Sequence, residues 1–321
     1  MDEITSSFDG SEVSTAEGSR ETSSGSRETS SILGQEVSNT SFSESSDSSS
    51  EISTNNSSLS ETFENEVNRD MSETSSQELA ENAHNMTKED MIREHGHCMS
   101  EDQISMLESD DTKENLNVLS AEDYTTEFPD QPFEVVGSCD SEGNIYIKDI
   151  SPEAVDHIST HETMHLCANR EVNVNDDGDV TIISGLHESE IRSNGEYVDS
   201  YRGINEGTTE MYTLRELNNR GETEAANSMN SYSEARMWSS RMESLVGKER
   251  VEAAYFGKNR EGLKQEFNRL NNGNPYAWDS FSRDVDILEY SRNPREIDAA
   301  KYRLAVQYRT MATNKYGLKE W

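Results

Sequence analysis

The first 130 residues of the 321-residue chain carry 31 Asp and Glu against six Lys and Arg, with no Trp. A segment so charged and so poor in large apolar side chains cannot bury enough surface to offset the entropy of ordering its backbone. With a net charge of -36 and 31% hydrophobic residues, the whole chain is too polar to be one globular body. Residues 1–75 are therefore expected to be a disordered Ser/Thr/Glu-rich tail. It contains an imperfect seven-residue repeat, SRETSSG from Ser19 and SRETSSI from Ser26, and the run SESSDSSSE from Ser43. Residues 76–130 read as an acidic linker with weak helices, on the short apolar spacings of Leu79, Ala83 and Met86, then Met91, Ile92, Ile104 and Leu107. That leaves 131–321 as one folded domain of ordinary size.

Charge and composition exclude several classes. No stretch approaches the roughly 18 to 20 consecutive apolar residues of a membrane span. The start, MDEITSSFDG, has neither a basic n-region nor an apolar h-region, so a cytoplasmic location is the default expectation, with export by a route that does not read such signals as the other. Cys98, Cys139 and Cys167 form neither a disulfide framework nor a CxxC zinc site. The acidic balance argues against nucleic acid, whose binders need a basic footprint, and favours basic peptide or protein partners.

The spacing from Pro132 onward predicts an α+β domain. Phe133–Val136 and the alternating Ile145 and Ile147, around Gly143-Asn144, read as two strands. Ser151-Pro152-Glu153 reads as a helix start, with Ser as N-cap, Pro where its missing N–H costs nothing, and Glu at the positive end of the dipole; this helix should run to about Asn169. Val180–Ser184 reads as a strand, at the sheet edge or inside it, followed by a polar loop from Leu186 to Arg202. A second helix is expected over Asn205–Asn219. Beyond it, Trp238, Met242, Leu245 and Val246, then Leu263, Phe267 and Leu270, then Trp278, Phe281, Val285 and Leu288, then Ile297, Leu304, Tyr308 and Met311 have helical spacing and predict a helical lobe packed by these side chains.

His161-Glu162-Thr163-Met164-His165 is an HExxH string in the middle of the first helix. A spacing of four puts both imidazoles on one face, able to reach a single Zn²⁺, and leaves Glu162 beside them as a base that need not be a ligand. The extended HExxHxxGxxH arrangement is ruled out, because its last two positions hold Ala168 and Glu171. Downstream, Asn205-Glu206-Gly207-Thr208-Thr209-Glu210 opens the second helix with two carboxylates four apart. His157 and His187 are rival ligands by residue type. The HGHC string at His95–Cys98 is a further candidate, as a group that caps the metal of a latent enzyme.

HETMH followed by NEGTTE resembles the gluzincins, the thermolysin-like zinc metallopeptidases, most closely compact bacterial members with an NEGxTE version of the second motif. The resemblance covers about residues 140 to 260 and is specific in those two strings. It implies a zincin-like domain with a small mixed sheet, the HExxH helix and a helical lobe, with zinc between them. It further implies His161, His165 and Glu206 as zinc ligands, Glu162 as general base and Glu210 as the carboxylate behind a ligand imidazole. The second acidic position is Glu where thermolysin has Asp, which leaves Glu206 and Glu210 to be ranked as ligands. An oxyanion donor is still to be found among Tyr255, Tyr212, Tyr201 and His187, with Tyr255 placed first. The expected activity is peptide-bond hydrolysis; the alternative is a catalytically inactive zincin-fold binding or regulatory protein.

Overall fold

The structure, a computed structural model, describes residues 30–33, 74–109, 115–129, 131, 135–140 and 142–317. Most of the tail assigned to 1–75 lies outside the described residues, as does the strand start at Phe133. In chain order the elements are β1 (Ser30–Leu33), α1 (Ser76–His95), α2 (Glu101–Glu108), β2 (Leu116–Leu119), α3 (Ala121–Glu127), β3 (Val135–Cys139), β4 (Ile145–Lys148) and α4 (Pro152–Cys167). A meander follows, β5 (Arg170–Val174), β6 (Val180–Ser184), β7 (His187–Ile191) and β8 (Tyr197–Ser200). The rest is helical: α5 (Arg202–Arg220), α6 (Thr223–Ser228), α7 (Ser233–Val246), α8 (Lys248–Tyr255), α9 (Arg260–Leu270), α10 (Ala277–Tyr290) and α11 (Pro294–Tyr316). The class is α+β, with two small sheets and a majority of helix.

The first sheet has the order β1-β3-β4-β2, with β3 antiparallel to both neighbours and β2 parallel to β4. Asp140 closes the β3–β4 turn by accepting the backbone N–H groups of Glu142 and Asn144, and Gly143 supplies the positive φ. The sheet lies on α4, which starts as its sequence dictates: Ser151 Oγ accepts the Ala154 N–H and Pro152 occupies the first turn. The second sheet is the antiparallel meander β5-β6-β7-β8.

Two sequence expectations need correction, and one left open is decided. The described residues of 76–130 are part of the folded body and not a free linker: Ala80, Met91, Met99, Leu107 and Leu116 belong to the same core as α4 and the helical lobe. Helix α1 lies along α4, with Ser159 Oγ donating to the Ala80 carbonyl at 2.7 Å and His84 Nδ1 2.8 Å from Thr163 Oγ1. Its buried face includes Ala83 and Met91, which the apolar spacing contains, but also Ala80, His84, Thr87 and Lys88, small or polar groups that a hydrophobic pattern does not register. The segment from Leu186 to Arg202 is not a loop but holds β7 and β8, strands written HESEI and YVDS whose register is fixed by tight turns. Strand β6 is an inner strand, paired on both sides.

The helical lobe agrees with its spacing. Trp238, Met242, Leu245, Leu263, Phe267, Trp278, Phe281, Val285, Leu304 and Met311 are all core residues. No helix among the described residues is long and apolar enough to cross a membrane.

Candidate metal centre

Helices α4 and α5 pack against each other, and the backbone of α5 is held close to its surroundings on every side. A Cβ on Gly207 would stand 2.6 Å from the Ala235 carbonyl oxygen, so only glycine lets α5 approach α7. Asn205 Oδ1 accepts the Leu186 N–H at 2.9 Å, tying the β6–β7 turn to the same helix. Gly203 N–H donates to Asp286 Oδ1 at 2.6 Å from the other side. These three fixings set where Glu206 and Glu210 project.

His161, His165 and Glu206 converge. His161 Nε2 and His165 Nε2 are 3.1 Å apart, His165 Nε2 lies 3.2 Å from Glu206 Oε2, and His161 Nε2 lies 3.5 Å from that oxygen. Donors at 2.0–2.1 Å from a common ion in tetrahedral array stand about 3.3 Å apart, so the triangle fits a zinc-sized cation. Among the described residues, these three are the set of His, Cys, Asp and Glu side chains that can hold a metal ion in this way. The other ring nitrogens suit ligation through Nε2 on both imidazoles. His161 Nδ1 donates to Glu210 Oε2 at 3.0 Å. His165 Nδ1 lies 3.4 Å from Thr209 Oγ1, which donates to the Asn205 carbonyl and meets the Tyr255 hydroxyl at 2.6 Å.

The electrostatics follow from burial and pairing. Burial opposes a charge on His161, but hydrogen bonds to Glu206 and Glu210 outweigh it and hold the imidazole up at about 10. Burial prevails at His165 and lowers it. Burial also works against the Glu206 carboxylate, yet His165 and His161 keep it well below its usual range; Glu210 is held down to about 2 by His157 and His161 against the same penalty. Glu162 is the opposite case. Both its oxygens are buried without a hydrogen-bond partner, and burial, with the Glu206 charge behind it, raises its carboxyl well above the usual range despite His161. An unpartnered buried carboxyl costs free energy, and this one stands beside three converging donors.

Of the sequence candidates, His161, Glu162, His165, Glu206 and Glu210 come together, and Glu206 rather than Glu210 lies in the donor triangle. Tyr255 does not take the expected place. Its hydroxyl bonds Thr209 on the Nδ1 side of the His165 ring, away from the donor triangle, and it is fully buried among Tyr212 and Phe256. Tyr212 is packed beside it, and Tyr201 donates to Asp279. His187 lies on β7, bonded to Asp199. His157 bonds the Ala225 carbonyl through Nδ1 and turns Nε2 to the Glu210 oxygen that also serves His161. Of the HGHC string, His95 lies against Glu252 and is stacked on Phe256, and none of its side chains is in the donor triangle.

Sequence reasoning missed Tyr232. Its ring lies 5.9 Å from that of His161 at an interplanar angle of 20°, and burial, followed by the Glu206 charge, raises its phenol well above the usual range, with Glu162 among the smaller contributions. It occupies a left-handed conformation, φ 50°, in front of α7. That conformation is rare for a bulky residue and accumulates at functional sites. Only its place before a helix start was available in the sequence. Comparison with protein-family models, curated proteins and solved structures finds no match to this chain.

Proposed function

We propose that the chain is a zinc-dependent peptidase of gluzincin type, with a zincin-like arrangement of sheet, HExxH helix and helical lobe. The observation that carries this reading is the donor triangle of His161, His165 and Glu206 with the unpartnered carboxyl of Glu162 next to it. A zinc ion there would supply Lewis acidity, lowering the pKa of a water towards about 7 and polarising a carbonyl. Glu162 takes a proton from the attacking water and returns it to the leaving amine. Glu210 and Thr209 fix the rotation of His161 and His165. The phenol that steadies the developing oxyanion is assigned to Tyr232, from the helical lobe, in place of Tyr255. The net charge of -36 favours cationic peptides or proteins through long-range steering.

One observation favours a second reading, a metal site that only braces the fold or binds a partner. His161 and Glu162 are 0% exposed and His165 and Glu206 1%, as in a closed structural site. Glu162 separates the two readings, because a bracing site has no use for an unpartnered base. Glu162→Gln is expected to retain one zinc per chain and to lose hydrolysis of unstructured peptides, whereas His165→Ala loses both. Normal turnover by Glu162→Gln would end the mechanism.

A further inference from the structure

Strand β3 borders the base of the site. A Cβ on Gly137 would stand 2.7 Å from Glu162 Oε1 and 2.5 Å from Ile158 Cγ2, so β3 runs against α4 at the turn that carries Glu162. One side of β3 is paired with β4. The other is taken by β1, a piece of the N-terminal tail, in antiparallel register with Ser30 opposite Cys139, Ser31 opposite Ser138 and Leu33 opposite Val135. The register slips between Ser31 and Leu33, which sets Ile32 against the stretch of β3 containing Gly137, and β1 also touches α4.

The paired segment stands apart from its surroundings in the sequence. Within residues 1–73, Ile32-Leu33 is the single place where two large apolar residues adjoin. It falls where the second copy of the repeat departs from the first, with Ile32 at the position that Gly25 holds in SRETSSG. An exposed edge presents unpaired N–H and C=O groups that accept any extended chain, whatever its sequence, which is how peptides are commonly read through their backbone. A tether raises the local concentration of the attached strand to the millimolar range, so even a weak strand fills the edge in cis.

We propose that Ser30–Leu33 occupies, within the same chain, the edge of β3 at which an extended peptide substrate would be held beside Glu162, so that the protein carries its own competing occupant. What the edge is for rests on the peptidase reading; that the tail fills it does not. The complete burial of Glu162 and the donor triangle is the state this occupant accompanies.

The test uses the full-length chain with Ser31→Pro and Leu33→Pro, which removes two backbone donors and leaves every residue of the centre in place. Amide exchange at Val135–Cys139 is expected to speed up at least tenfold in the variant, and a synthetic peptide of residues 26–38 to restore protection. Zinc content stays the same, and hydrolysis of a quenched, unstructured peptide rises at least tenfold and is inhibited by the 26–38 peptide. Equal exchange in both proteins overturns the proposal, as does faster exchange with unchanged hydrolysis by an active wild type. If neither protein cleaves any peptide, the peptidase reading falls, and exchange with peptide rebinding still decides whether the tail fills the edge.

Discussion

His161 and His165 stand one turn apart on α4, yet the regions behind them are built from opposite chemistry. Behind His161 lies charge: the Glu210 carboxylate, itself shared with His157, which is anchored on the Ala225 carbonyl. Behind His165 lies a neutral relay, Thr209 to the Asn205 carbonyl and to the Tyr255 hydroxyl. Both arrangements can fix a tautomer, but only a carboxylate raises the basicity of its imidazole; His161, which meets both Glu206 and Glu210, is pushed up, whereas at His165 burial prevails. A pair of histidines equivalent in the motif is therefore unequal in the fold.

The largest expected effect removes what the two share. Glu206→Ala should abolish stoichiometric zinc binding, since it deletes one corner of the triangle; metal analysis on the purified protein measures it, and retention of zinc would pass the ligand role to Glu210. Glu210→Ala comes next, with zinc affinity expected to fall roughly 10- to 100-fold. Thr209→Val should cost less, and competition with a chelator ranks the two; an equal loss would erase the asymmetry. The third test uses pH. Because His161 is held at about 10, an incoming ion must displace its proton at neutral pH, so apparent affinity should climb about tenfold per pH unit up to about pH 9. In Glu210→Ala the imidazole loses one of its two carboxylate partners, and the climb should level off at a lower pH. A flat profile for the wild type would mean that His161 is already neutral. The smallest effect is expected at the neutral side: Tyr255→Phe should change kcat by less than about threefold and stability by about 1 kcal/mol, the worth of one hydrogen bond. Tyr232→Phe should lower kcat by roughly 10²- to 10³-fold with zinc retained. If the two tyrosines exchanged these outcomes, the assignment of the oxyanion partner would reverse.

The parts of the centre that could be read from sequence are those written locally. Ser151-Pro152-Glu153 starts α4, and the spacings of four within HETMH and NEGTTE put donors on single faces of two helices. The helical lobe was legible for the same reason, since its core is apolar at regular intervals. Helix α1 was legible only as a weak helix and its seat on α4 was not, because Ala80, His84 and Thr87 pack through small size and hydrogen bonds. Strands β7 and β8 were hidden by Glu, Ser and Asp side chains on a backbone whose pairing is set by turns. The flanks of Tyr255 announced burial correctly but carried no information on which side of His165 it would stand, and Tyr232 reaches His161 from a chain segment 71 positions away through a backbone conformation that its sequence does not advertise.

Gly207, between the two carboxylates of NEGTTE, carries no donor, yet the closeness of α5 to α7 depends on it. It works as a gauge block in a machine fitting: its thinness sets how far the Glu206 carboxylate reaches across to α4. A lineage of such chains could thus lose its centre by acquiring a single methyl group at a position that touches no ion, with HETMH and both glutamates still intact.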